Sequence, residues 1–276
     1  MKINQSLYHY YLYLLMIILV FNSCKKENIS PITSNIKPSI KKIKTQKISY
    51  SGGDLTQTFY YNSEGKILQL VSSNNDSAVY EYSANKIIVK NYNSNQLNST
   101  EEYELNDLGL AKSRVITVIN KQMHVFNFLK NYKNAENALE NSSYTFEYNN
   151  DKYLIKTTYL NSNGSTSVIT NSISNGNYVS YTVEYTYENQ PVINHEDSEF
   201  YTDKINAIGN EYRGISFLGK DGKNLVKKTI FNYNGNSTQT TNYTYEYDSA
   251  GRVIKEYLIS SMGYELDIIV SYTYED

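Results

Sequence analysis

The sequence predicts an all-β protein: an antiparallel meander of repeated β-hairpins, forming a curved sheet or barrel-like body with minor helical insertions. Three observations carry this. Tyrosine is abundant, with 30 residues against 8 Phe and no Trp. Many tyrosines alternate with polar residues at period two, the mark of a strand with one buried face. The alternating runs end in short Asn, Asp, Ser and Gly sequences suited to tight turns, and the whole unit recurs along the chain.

The clearest unit begins with Tyr243-Thr244-Tyr245-Glu246-Tyr247. Asp248-Ser249-Ala250-Gly251-Arg252 follows as the turn, and Val253 to Ile259 returns as the second strand. Earlier copies vary on this plan. Thr58 to Tyr61 leads through Asn62-Ser63-Glu64-Gly65-Lys66 into Ile67 to Val71. Val79 to Tyr82 leads through Ser83 to Lys86 into Ile87 to Val89. Tyr103 to Leu105 runs into Asn106-Asp107-Leu108-Gly109, and Tyr144 to Tyr148 into Asn149-Asn150-Asp151-Lys152, then Tyr153 to Tyr159. Ser216-Phe217-Leu218 with Gly219 to Lys223 reads as a further copy, and Val270 to Tyr274 as the first strand of one more. Hairpins stacked side by side bury a shared face, which predicts roughly 12–16 strands. Two segments break the pattern. Lys130 to Glu140 suits a short helix, and Tyr201 to Gly214 a long loop or helical turn.

The amino terminus differs in kind. Lys2 precedes an unbroken apolar and aromatic run from Tyr10 to Phe21. A bilayer-spanning helix needs about 20 such residues; a secretory signal needs roughly 7–15. The run therefore reads as a signal peptide. Phe21-Asn22-Ser23-Cys24 closes it and resembles a bacterial lipobox, whose cysteine accepts lipid and becomes the new first residue. Cys24 is the only cysteine in the chain, so no disulfide can form within it. The expected layout is a lipoprotein signal peptide over 1–23, a flexible tether rich in Lys with Pro31 and Pro38 over 24–46, and one β-repeat domain over 47–276. Two or three acyl chains hold a protein stably at a membrane.

Little in the chain suggests chemistry. A formal charge of −2 gives no reason to expect nucleic acid. The sequence implies no cofactor. Gly214 to Asp221 approaches a phosphate-binding loop, but Asp221 stands where Ser or Thr would hold magnesium. After cleavage only His124 and His195 remain, too few for a His/Cys metal cluster. His195 with Glu196, Asp197 and Glu199 reads as a solvated acidic loop rather than a calcium site. The tyrosines of the last two units, Tyr243, Tyr245, Tyr247, Tyr272 and Tyr274, share one strand face. Buried, they pack a core; exposed, they offer a ligand face for a glycan or another envelope protein.

The repeat units resemble tyrosine–aspartate (YD) repeats of the Rhs type, most closely in Tyr245-Glu246-Tyr247-Asp248 through Gly251-Arg252-Val253. The whole chain is similar to a Bacteroidota lipoprotein family with a domain of unknown function and porin-like fold. Phe200 to Lys204, Ile208 to Asn210, Gly214 to Lys220 and Lys223 to Val226 carry that likeness. The resemblance implies a sheet curved toward a barrel and brings no activity. The functional expectation is a lipid-anchored envelope protein, at the outer membrane and facing periplasm or surface, that binds or displays without catalysis. A structural or adhesive component and a glycan hydrolase are the rivals. The alternating strands lack an aliphatic band for lipid, so the body is expected outside the bilayer.

Overall fold

In the computed structural model the described residues are 41–119, 141–160, 164–187, 190–235, 237–261 and 268–275. Cys24, the expected signal peptide, His124 and the expected helix at Lys130 to Glu140 lie outside them.

The first strands are β1 (Ile43–Tyr50), β2 (Gly53–Tyr61), β3 (Ile67–Ser72), β4 (Ser77–Tyr82), β5 (Lys86–Asn93) and β6 (Gln96–Leu105). Next come β7 (Ala111–Val118), β8 (Asn141–Tyr148), β9 (Leu154–Leu160), β10 (Thr166–Ser174), β11 (Asn177–Tyr187) and β12 (Gln190–Ile205). The last four are β13 (Asn224–Tyr233), β14 (Ser237–Tyr247), β15 (Val253–Ser260) and β16 (Ile268–Tyr274). Each pairs antiparallel with the next, and β16 pairs with β1, so the meander closes into a barrel. Closure leaves no edge strand among the described residues.

β1 begins at Ile43, inside the segment expected as tether. Its Lys content is misleading, because alternation sends Lys44 and Lys47 outward while Ile43, Gln46 and Ile48 are buried.

The repeated turns share one device. Asn62 Oδ1 accepts the backbone N–H of Glu64 and of Lys66, both at 3.0 Å. Asn106 does the same for Leu108 and Leu110 at 2.9 and 3.0 Å. Asn149 holds Asp151 and Tyr153 at 3.1 and 3.0 Å. Asp248 holds Ala250 and Arg252, both at 2.9 Å. One carboxamide or carboxylate thus clasps a five-residue turn, satisfying amides that have no strand partner. The fourth residue of each turn has positive φ: 72° at Gly65, 72° at Gly109, 70° at Lys152 and 77° at Gly251. We expect Asn106→Ala to cost about 1–2 kcal/mol, from two lost bonds on a half-exposed turn. Urea denaturation measures this, and an unchanged midpoint would show that the turn forms without its clasp.

All these turns lie at one end of the barrel. The connection between β12 and β13, residues 206–223, crosses that same end as a plug. Ile43 N–H donates to Tyr212 O at 3.0 Å, and Ile67 N–H to Gly214 O at 3.2 Å. Lys220 N–H donates to Lys152 O at 3.0 Å, and Lys223 N–H to Gly176 O at 3.1 Å. The plug therefore ties together strands from around the whole ring. Within it, Asn206 Oδ1 caps Ile208 N–H at 3.0 Å, and the buried Asp221 carboxylate accepts Asn210 N–H.

Two expectations change here. Tyr201 to Ile205 completes β12 rather than starting a loop, through pairing of Phe200 with Val226 and Ile205 with Asn224. Ser216–Leu218 is a single 3-10 turn in the plug, not a hairpin strand. Its Phe217 is buried edge-on against Tyr103, with ring centroids 5.2 Å apart. The Gly214 to Asp221 sequence is accordingly a piece of this plug, with no helix after it to receive phosphate.

The core surrounds the plug. One cluster joins Ile43, Phe59, Ile67, Ile208, Leu225, Tyr243, Val253, Val270 and Tyr272. A second joins Ala78, Ile87, Val89, Tyr103 and Ala111 around Phe217.

Candidate functional site: the barrel interior

Alternation along each strand divides the wall into two chemistries. Outward positions carry Thr, Ser, Lys and Glu. Lys47 pairs with Asp54 at 2.6 Å, Lys86 with Glu102 at 2.6 Å, and Lys112 with Glu104 at 2.9 Å. Lys156 meets Glu147 at 2.7 Å, Lys228 meets Glu199 at 3.2 Å and Lys255 meets Glu246 at 3.1 Å. Such exposed pairs add little stability each; they share the outer surface with exposed apolar side chains, among them Tyr60, Val115, Leu160, Ile193 and Ile259.

The five tyrosines singled out in the last two units face inward. Tyr243 and Tyr272 are each 3% exposed and belong to the core. Tyr245, Tyr247 and Tyr274 pack against that core, half-buried. These five residues therefore line the inside of the barrel, not an outer face. Their hydroxyls mostly find partners. Tyr272 Oη donates to Glu256 Oε2 at 2.8 Å, Tyr245 Oη to Val226 O at 2.9 Å, and Tyr274 Oη to Val253 O at 2.7 Å. Tyr247 Oη has no hydrogen-bond partner among the described residues. Burial pushes the Tyr243, Tyr245, Tyr272 and Tyr274 hydroxyls well above the ordinary range, so they remain protonated donors.

Alternation also splits the acidic run on β12. His195, Asp197 and Glu199 point out, while Glu196 points in. His195 Nε2 lies 3.1 Å from Asp197 Oδ1, and its Nδ1 lies 3.0 Å from Thr182 Oγ1. The expected acidic loop is thus a paired strand, and its carboxylates cannot converge on one cation. Among the described residues no group of three His, Cys, Asp or Glu could hold a metal ion.

The interior holds charged groups that sequence reasoning did not single out. Glu196 and Glu256 are buried in the wall of β12 and β15. Burial raises the Glu256 carboxyl above its ordinary range, against the opposing bonds from Tyr272 and Tyr245 and the charge of Arg213. Across the ring, Arg114 on β7 and Glu101 on β6 form an ion pair at 2.8 Å. Their side chains stay 24% and 16% exposed although they face the interior. The signal was present in the sequence as phase. Each charge occupies a position in step with inward neighbours: Glu256 with Leu258, Glu196 with Asn194, Arg114 with Ile116.

The fold and this wall define a class: a closed 16-stranded antiparallel barrel, plugged at one end, with tyrosines and buried polar groups inside and ion pairs outside. Solved structures share the fold. The chain is similar to a porin-like protein from Bacteroides uniformis, with TM-score 0.57 and 19% identity, over 84% of this chain and 96% of that one. It is also similar to a porin-like protein from Bacteroides vulgatus, with TM-score 0.60 and 10% identity, over 85% and 99% of the two chains. No family model matches the sequence, and no curated protein matches it. The fold is thus that of these Bacteroides porin-like proteins.

Proposed function

We propose that this chain is a cell-envelope lipoprotein whose barrel stands in water, held at a membrane by lipid on Cys24, and that it binds ligand through its interior without catalysis. The observation that carries this reading is the polarity of the wall. A barrel inside a bilayer presents an apolar band about 25 Å tall to lipid and polar groups to its lumen. Here ion pairs and threonines interrupt the outer face, where Tyr60, Val115, Leu160, Ile193 and Ile259 are scattered apolar exceptions, while aromatic and aliphatic side chains share the inside with buried polar groups such as Gln46, Asn194 and Gln239. Charged pairs spread over the outer wall suit water better than lipid, so attachment falls to another element. The apolar run before Cys24, the Phe21-Asn22-Ser23-Cys24 sequence and the Lys-containing tether supply it. The Asn and Asp turns fit the tyrosine–aspartate repeat reading, which accounts for the spacing of the units.

Metabolic labelling with an alkyne fatty acid tests the anchor. Wild-type protein should be labelled and sediment with membranes. Cys24→Ala should lose the label and stay folded in buffer without detergent. Label on the Ala variant, or a barrel that needs detergent to remain in solution, overturns the proposal.

A further inference from the structure

We propose that the inner wall across β6 to β9 is a carbohydrate-binding site centred on Arg114; this rests on the reading of the interior as the binding surface and names its ligand class. Tyr103, Arg114, Tyr144 and Tyr159 stand directly opposite one another on successive strands. They form a continuous stack. The Arg114 guanidinium lies 5.6 Å from the Tyr103 ring and 4.9 Å from the Tyr144 ring, and Tyr144 stacks on Tyr159 at 4.6 Å and 22°. The stack fixes the guanidinium plane. Glu101 then holds one edge, with Arg114 Nη2 at 2.8 Å.

The same carboxylate is held from two other sides. Asn91 Nδ2 donates to its Oε1 at 3.0 Å, and Tyr103 Oη donates to its Oε2 at 2.8 Å. One strong donor is left over: Arg114 Nε is buried and has no hydrogen-bond partner among the described residues. A buried N–H without an acceptor carries the full cost of its lost hydration. A ligand oxygen at that position would remove the cost.

Charge decides the ligand class. Arg114 and Glu101 cancel, so neither an anion nor a cation gains net attraction. What remains is a rigid set of close donors and acceptors beside aromatic rings. Sugar hydroxyls both donate and accept, so adjacent ones can bridge the two members of the pair. Tyr159 is half-buried, and its partner on β10 is the small Ser167, which leaves the far ring face for sugar C–H groups.

Full-length lipidated protein in a non-glycosidic detergent should be screened on an array of neutral and acidic oligosaccharides, followed by calorimetric titration. Neutral oligosaccharides should bind. Arg114→Lys keeps a cation opposite Glu101 but removes Nε and the planar fork, and should raise Kd about tenfold or more. Tyr159→Ala should do likewise, and it decides the matter if Arg114→Lys fails to melt cooperatively. His195→Ala on the outer wall should leave binding unchanged. Absence of neutral-glycan binding, binding confined to acidic glycans, or wild-type affinity in both wall variants overturns the site. Lipid labelling on the same preparation is read separately, so loss of the sugar site leaves the anchored reading to its own test.

Discussion

Replacing Glu196 by Gln should stabilise the barrel at neutral pH and flatten its pH dependence. Glu196 is 3% exposed, in the wall between Tyr181 and Phe231. Burial pushes its carboxyl up from 4.5 to about 8; the adjacent Asp197 charge adds to this, and a bond from Tyr181 Oη works against it. Below pH 4.5 both folded and unfolded chains hold this proton, and the full stability is present. Between 4.5 and about 8 the folded chain keeps a proton that the unfolded chain has released. Stability therefore falls as pH rises through this window, by about 1.4 kcal/mol per unit, and levels off above the folded pKa. At pH 7 the accumulated cost is on the order of 3 kcal/mol, and a neutral amide of the same shape escapes most of it. Melting curves of wild type and Glu196→Gln from pH 5 to pH 9 measure the difference. They should nearly coincide at pH 5 and separate by about 2 kcal/mol at pH 7. Parallel curves would mean that Glu196 is ionised and hydrated in the folded barrel. Any residual slope in the variant belongs with Glu256, whose carboxyl burial shifts in the same direction.

Gly214→Ala should unseat the plug. Gly214 has φ 71°, a region that costs a side-chain-bearing residue about 1–2 kcal/mol. Space is the larger obstacle. A Cβ there would lie 2.7 Å from Ile67 N, 2.8 Å from Gly65 O and 2.9 Å from Tyr61 Cε1. Two of these are backbone atoms of the β2–β3 hairpin and cannot rotate aside. Gly251→Ala provides the comparison: its φ is 77°, but nothing lies within 4 Å of the added carbon. We expect a loss of about 1 kcal/mol at Gly251 and about 3 kcal/mol or more at Gly214. Trypsin reports the location, since Arg213, Lys220 and Lys223 lie in the plug. Gly214→Ala should open these bonds to cleavage in folded protein and Gly251→Ala should not. Equal protection would show that the plug tolerates the shift.

Much of the barrel wall is legible in the chain because it is local. Tyr243, Tyr245 and Tyr247 share a face whatever lies beside them, since successive side chains on a strand point to opposite sides. The clasped turns are legible for the same reason: Asp248 and Asn106 act within four residues of themselves. Where reading failed, the determinant was distant. Ser216-Phe217-Leu218 has the look of a strand, but Phe217 is claimed by Tyr103 and the second core cluster. Ile43 sits among lysines, but β16 lies beside it and Tyr274 is its partner. The run from His195 to Glu199 looks like one acidic patch, and pairing on both sides turned it into two faces.

The sequence by itself determined the strands, their alternating faces and the turns between them, because period-two patterning and Asx chemistry act over a few residues. Only the tertiary structure decided which face is inside. That choice depends on closure between β1 and β16, as where Thr45 meets Thr273 at 2.7 Å across nearly the whole chain. Closure moved the tyrosines from a potential surface into an interior and removed Glu196 and Glu256 from water. It also placed Arg114 where its Nε has no partner among the described residues. Local rules assign a side chain to a face; only the completed ring determines which face meets solvent.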